Sequence, residues 1–210
     1  MNYPKQRSEM VKEQIEERGI VDKKVLKAMQ EIPREDFVPE SMKASAYDDN
    51  PLPIGNGQTI SQPYIVAEMT ELLELKGDEK ALEIGTGSGY QAAILSKLVK
   101  RVITVERVKE LAEKTGDLLQ KKGYGNVEVV FGDGTKGYAK EAPYDAIIVT
   151  AAAEKIPKKL IEQLAEGGRL VAPVGPRYHQ ELIRIRKRNG KLEEDYHGGV
   201  IFVPLIGDDE

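Results

Sequence analysis

From residue 80 onward, short apolar runs alternate with stretches whose apolar residues return every three or four positions. The runs fall at 81–84, 102–105, 127–131, 146–149 and 169–174, each short enough to be a buried strand. Between them, 91–99, 108–122 and 157–165 have helical spacing, the second with Leu111, Ala112, Thr115, Leu118 and Leu119 on one side. The crossover at 134–143 is shorter and shows no clear helical period. Strands alternating with helices of this length predict a parallel sheet with helices on both faces, a doubly wound Rossmann-like α/β fold. The ending differs. Leu182, Ile183 and Ile185 alternate with Arg184, Arg186 and Arg188, Asn189-Gly190 offers a two-residue hairpin turn, and 192–196 can return antiparallel. With one more apolar run at 200–205, the sheet is expected to be mostly parallel with antiparallel C-terminal strands. The arginines of 184–188 are expected to form a solvated face.

Ahead of this core the pattern is helical. Met10, Val11, Gln14 and Ile15 suggest a weakly amphipathic helix capped at Gly19, and Asp22 as N-cap starts a second, through Val25, Leu26, Met29 and Ile32, that Pro33 stops. Residues 34–50 read as irregular, with Tyr47, Asp48 and Asp49 exposed or turning. Residues 50–64, NPLPIGNGQTISQPY, read as the longest loop in the chain, and long ordered loops are more often functional than ordinary connections are. Ile65, Val66, Met69, Leu72 and Leu73 then repeat at helical spacing, with Ser61 as a candidate N-cap ahead of Pro63.

Composition narrows the classes. At 210 residues with no linker-like stretch, one domain is expected over 1–210: N-terminal helices and a substrate loop in 1–79, a cofactor-binding core and C-terminal strands in 80–210. The net charge of -4 provides no basic field for nucleic acid. The polar N-terminus and the lack of any run of 18 apolar residues lead us to expect a cytoplasmic protein with no membrane partner. Cysteine is absent, which removes disulfides, thiolate nucleophiles and Cys-ligated zinc. His179 and His197 have no metal-ligand spacing, so no metal is expected.

The candidate chemistry centres on residues 81–90, ALEIGTGSGY. Gly85, Gly87 and Gly89 form G-x-G-x-G, whereas the dinucleotide fingerprint is G-x-G-x-x-G, and Glu83 precedes the glycines within the strand. A carboxylate there suits a ligand with a cationic amino group, such as the methionine moiety of S-adenosylmethionine, better than a pyrophosphate. Glu106 closes the second strand, where a carboxylate can accept from both ribose hydroxyls. Asp133 closes the third, where it can accept from the adenine amine. Acidic residues at three successive strand ends, on one edge of one sheet, are more specific than any one motif.

LEIGTGSGY, VITVER and FGDG resemble, in order and spacing, the cofactor motifs of Rossmann-like S-adenosylmethionine-dependent methyltransferases. GNGQTISQPY, GGRLVAPVG and VIFVPL resemble more specifically the protein-L-isoaspartate O-methyltransferase family, over roughly 51–205. The resemblance implies methyl transfer to the free carboxylate of isoaspartyl residues in damaged peptides or proteins. It also implies a cofactor site of Glu83, Gly85, Thr86, Gly87, Ser88, Gly89, Tyr90, Glu106, Arg107, Asp133 and Gly134. The product would be S-adenosylhomocysteine. The chain is expected to act as a monomer.

The acceptor chemistry agrees from the other side. A carboxylate, with an unperturbed pKa of about 4, is ionised at neutral pH and needs no base. The fourth strand ends VTAAAE, with no signature of the exocyclic-amine methyltransferases, and no base is evident. Ser61 is the candidate catalytic residue: its hydroxyl, with Thr59 and backbone groups, would hold the acceptor carboxylate. Its position matches the family's active-site serine. Gln58, Thr59, Ile60, Tyr64 and Val203 are the candidate substrate contacts. A methyltransferase acting on another acceptor, a non-catalytic adenosyl-cofactor module and, more remotely, an NAD oxidoreductase share the cofactor features.

Overall fold

A computed structural model describes residues 1–207. The chain starts with α1 (Tyr3–Glu9), which widens into a π-turn at Met10–Ile15 and closes in the left-handed Gly19. Helix α2 (Lys23–Glu31) begins as expected, the Asp22 side chain accepting from the Lys24 and Val25 amides. Residues 34–50 are less irregular than expected, forming 3-10 turns at Arg34–Phe37 and Glu40–Ser45. Tyr47 is buried rather than exposed, because its hydroxyl is taken up between Arg7 and Glu35.

The expected long loop is a hairpin. Strands β1 (Leu52–Gly55) and β2 (Gln58–Ile60) pair antiparallel, turning through Asn56-Gly57 with both residues at positive φ, the geometry that matches the strands' twist. Helix α3 (Pro63–Leu72) follows, with Gln62 and not Ser61 at its N-cap position and no side-chain cap. The capping role expected of Ser61 is therefore not realised.

The main sheet contains β3 (Lys80–Ile84), β4 (Arg101–Glu106), β5 (Val127–Phe131), β6 (Tyr144–Val149), β7 (Leu164–Val174), β8 (Gln180–Arg188) and β9 (Lys191–Val200), in the order β5-β4-β3-β6-β7-β8-β9. Pairing is parallel from β5 to β7 and antiparallel from β7 to β9. Helices α4 (Tyr90–Ser96) and α5 (Lys109–Lys121) bury their apolar residues, with α2, α3 and the N-terminal turns, in the core on one face. On the other face Leu160 of α6 (Lys158–Gln163) joins a second core that includes Leu82, Ile103 and Ile147. The crossover at 134–143 contains only 3-10 turns.

Two C-terminal expectations are corrected. The run 200–205 is not a strand: β9 ends at Val200, Ile201 is exposed, and only Pro204 bridges, to Ala152. Arg184 and Arg186 do not form a solvated face. Their side chains are 12% and 17% exposed, and both pair with Glu74 and Asp195, which lie against them from the end of α3 and from β9. Among the described residues no helix is long and apolar enough to cross a membrane.

Because β4 leaves β3 on one side and β6 returns on the other, the strand order reverses at β3. In open α/β sheets a crevice for ligands forms outside the carboxyl ends of the strands at such a reversal. Here that place is the turn after Ile84.

Candidate active site

Beyond β3, Gly85 N–H donates to Val105 O and Thr150 N–H to Ile84 O, both at 2.9 Å, so the glycine turn emerges held by its two neighbouring strands. Three threonines fix the turn itself. The Thr150 hydroxyl lies 2.7 Å from Gly85 O, Thr115 donates to Gly87 O at 2.7 Å, and Thr86 shares a 2.7 Å hydroxyl contact with buried Thr104. Side chains have no room at two of the glycines. A Cβ on Gly85 would fall 2.5 Å from Thr150 Oγ1, and one on Gly89 2.6 Å from Thr115 Cγ2, with φ at 94° and 85°.

Glu83 lies in register with Thr104 of β4 and Ile148 of β6. It is 0% exposed, and neither carboxylate oxygen has a hydrogen-bond partner. Burial pushes its carboxyl up to about 8, and the nearby charge of Glu106 acts in the same direction. An unpaired buried carboxyl is costly, and a cationic group brought to it would recover that cost.

Glu106, also buried, spends its carboxylate on the turn: Oε2 accepts from Gly87 N–H and Oε1 from Val108 N–H, both at 2.9 Å. Asp133 Oδ1 accepts from the amide and hydroxyl of Thr135, and Lys136 lies 3.3 Å from its carboxylate. Exposed Arg107 donates to Ile206 O at 2.7 Å, which ties the C-terminal segment to the end of β4. Gly134 packs directly on Ile84.

The hairpin brings the acceptor candidates to this turn. One small cavity is lined jointly by Thr59, Ile60 and Ser61 and by Glu83, Gly85, Thr86, Gly87, Ser88 and Tyr90. A larger cleft of about 770 Å³ opens next to it, sharing Thr59, Ser61 and Thr150, with Tyr178, His179 and Val203 on its far side. The Ser61 hydroxyl has no hydrogen-bond partner among the described residues. Glu106, Arg107, Asp133 and Gly134 lie along the same sheet edge without lining either cavity. Gln58 and Tyr64 are not brought in. Tyr64 points to the other side of α3, its ring stacked 3.7 Å from the Arg18 guanidinium.

Sequence reasoning missed four residues that shape this site. Thr150 and Thr115 were ordinary positions in a strand end and a helix. Their use depends on register, which no local pattern carries. Gln91, buried, hydrogen-bonds Thr70 under the cavity it lines. Gln180, 3% exposed, clamps the segment after β9 through both ends of its amide. Its Oε1 accepts from Phe202 N–H at 2.7 Å, and its Nε2 donates to Phe202 O at 3.3 Å and to Arg177 O at 3.2 Å. That clamp keeps the non-strand residues 201–203 as a wall of the larger cleft.

The chain matches, over residues 5–210, the family model described as protein-L-isoaspartate(D-aspartate) O-methyltransferase. A protein-L-isoaspartate O-methyltransferase of Methanoculleus marisnigri is 58% identical over 97% of this chain and 92% of its own length. One of Geobacter metallireducens is 56% identical over 99% and 96%. Among solved structures, a protein-L-isoaspartate O-methyltransferase superposes with a TM-score of 0.88 at 30% identity, covering 96% of this chain and 66% of that one. A Plasmodium falciparum protein, described as of the same kind and solved with S-adenosyl-L-homocysteine, gives 0.83 at 28% identity over 98% and 99%.

Proposed function

The chain belongs to the protein-L-isoaspartate O-methyltransferase family, and on that premise we propose how its residues divide the work of methylating isoaspartyl carboxylates. The reaction is transfer of methyl from S-adenosylmethionine to the free carboxylate of an L-isoaspartyl residue in a damaged protein or peptide. The observation that carries the residue-level reading is the shared cavity, where the unpaired carboxyl of Glu83 and the unpartnered hydroxyl of Ser61 meet across the glycine turn.

The site fits the cofactor's chemistry: an orphaned buried carboxyl suits the methionine ammonium, and the turn admits no Cβ at Gly85 or Gly89. Glu83 takes the ammonium, and Gly85, Thr86, Gly87, Ser88, Gly89 and Tyr90 form the cradle. Glu106 uses its remaining lone pairs for the ribose hydroxyls, and Asp133 with Gly134 faces the adenine. Arg107 closes this edge by holding Ile206. When bound, S-adenosylmethionine supplies an electrophilic methyl group on its sulfonium.

The protein's own task is then to orient the acceptor. Ser61 donates from its hydroxyl to one oxygen of the isoaspartyl carboxylate, and Thr59 and loop amides fix the other. No base is required, because the attacking group is already ionised. Partial burial in the hairpin cleft raises the reactivity of an otherwise weak nucleophile and excludes water. Ile60 walls the small cavity and Val203 the larger cleft, while Gln58 and Tyr64, which line neither, take no part. The methyl ester is a better leaving group than the carboxylate. Attack by the following peptide nitrogen expels methanol and gives a succinimide, which water reopens to aspartate or isoaspartate.

The working form in this reading is a monomer of one domain in the cytoplasm, acting on proteins rather than on nucleic acid or membranes. The net charge of -4 is in keeping with that partner class. Paired isoaspartyl and aspartyl peptides, assayed for base-labile methyl esters, test it. Esters on the isoaspartyl member alone are expected, and equal labelling of both would overturn it.

A further inference from the structure

Arg34 is the largest side chain fully withdrawn from solvent, at 0% exposed, and it forms no ion pair among the described residues. It opens the 3-10 turn after α2 and reaches back into the core. Nε donates to Ala46 O and Nη2 to Ser61 O, each at 2.8 Å, and Nη1 has no partner. The guanidinium lies 4.9 Å from the ring centroid of Tyr90, the first residue of α4 after the glycine turn. Tyr90 in turn packs edge-on against Phe37 from the same 3-10 turn as Arg34. Burial draws the Arg34 pKa down to about 10, which leaves it charged at neutral pH.

A buried cation without a carboxylate is an expensive way to fill a core, and an apolar side chain of similar volume would serve stability better. What an apolar side chain cannot do is grip two main-chain carbonyls from two different segments. A lysine donates from a single nitrogen, so it cannot hold the fixed fork that reaches both. One of those carbonyls belongs to Ser61. A trans peptide is planar, so fixing the Ser61 carbonyl toward Arg34 also fixes the Gln62 N–H in the opposite direction. Ser61 and Gln62 both line the larger cleft.

We propose that Arg34 is a positioning residue for the methyl acceptor: it locks the Ser61–Gln62 peptide plane against the Tyr90 end of the glycine turn, setting the acceptor carboxylate relative to the transferable methyl. The inference rests on the assignment of Ser61 to the acceptor. Its signature is a division between the two ligands. Arg34 makes no hydrogen bond to Glu83 or Glu106 and touches the cofactor cradle only through the ring of Tyr90, whereas it bonds the Ser61 carbonyl directly.

The test uses Arg34→Lys and Arg34→Gln in the full chain, with Ser61→Ala alongside. S-adenosylhomocysteine affinity is measured by calorimetry and kcat/KM with an isoaspartyl peptide at saturating S-adenosylmethionine. Both Arg34 variants are expected to bind S-adenosylhomocysteine within about threefold of the parent while kcat/KM for the peptide falls about tenfold or more. Two variants are used so that a folded one is available, and calorimetric binding itself reports folding. Parent-like kcat/KM in a folded variant overturns the proposal. So does a loss of S-adenosylhomocysteine affinity that matches the loss of turnover, which would make Arg34 a buttress of the whole site. If Ser61→Ala is itself unimpaired, the Ser61 assignment fails and this inference falls with it. If Ser61→Ala is impaired and Arg34→Lys is not, only the present inference fails.

Discussion

Glu106 Oε2 accepts the Gly87 N–H at 2.9 Å, so the carboxylate that ends β4 also holds the glycine turn that follows β3. Its other oxygen takes Val108 N–H, and the residue is buried. The turn geometry therefore depends on the side chain that the proposed function also assigns to the ribose hydroxyls. In Glu106→Gln the amide must present its NH2 to one of these two N–H donors. S-adenosylhomocysteine affinity is expected to fall about tenfold or more by calorimetry, the loss of roughly one charge-assisted hydrogen bond. Parent-like affinity would show that the turn needs no support from β4.

Glu83 predicts a proton count. In the unfolded chain its carboxyl titrates near the ordinary 4.5, and in the folded protein burial moves it to about 8. Between those values the native state holds a proton that the unfolded state has released. The contribution of Glu83 to the stability of the ligand-free protein therefore falls as pH rises through that window and levels off above about 8, which the difference in urea stability between the parent and Glu83→Gln reads across pH. Pairing with a ligand ammonium favours the ionised carboxylate, so binding S-adenosylhomocysteine at pH 7 should release up to about one proton. Calorimetry in buffers of different ionisation enthalpy reads this directly. Glu83→Gln should abolish the release and weaken binding, and an undiminished release in that variant would remove Glu83 from the ammonium site.

Gly89 offers a stability test with a visible cause. Its φ of 85° and the 2.6 Å approach that a Cβ would make to Thr115 Cγ2 leave no relaxed position for alanine. Gly89→Ala is expected to cost about 1–3 kcal/mol in urea unfolding and to reduce cofactor affinity. Stability equal to the parent would mean that the turn can rearrange around a side chain.

Gln180 holds the wall of the larger cleft, which the proposed function assigns to the acceptor. In Gln180→Glu, one oxygen still accepts from Phe202 N–H, but the other faces the carbonyls of Phe202 and Arg177 instead of donating to them. Release of residues 201–203 should raise KM for the isoaspartyl peptide about tenfold with S-adenosylhomocysteine affinity unchanged. Steady-state kinetics with varied peptide checks this, and an unchanged KM would mean the wall does not depend on the clamp.

What was legible in the sequence was what local pattern carries. The run ALEI, the three glycines and the carboxylates ending successive strands place a ligand crevice on one sheet edge, because strand alternation and crossover handedness leave little choice of topology. The hairpin turn at Asn56-Gly57 carried its usual signal, but the prolines flanking it read as loop. The partners of Arg184 and Arg186 were hidden because Glu74 and Asp195 come from distant elements, so a strand of alternating arginines looked solvated. Arg34, Thr150 and Gln180 act by gripping main-chain carbonyls or amides across the fold. Main-chain groups are the same at every position, so the sequence marks no partner for them.

The central claim is that the hydroxyl of Ser61 serves the acceptor and not the cofactor or the helix behind it. It is tested by Ser61→Ala, comparing methyl transfer to an isoaspartyl peptide with S-adenosylhomocysteine binding in one preparation. Turnover should fall by about tenfold or more, with affinity within about threefold and no loss of stability, because the hydroxyl caps nothing. Unchanged turnover would contradict the account.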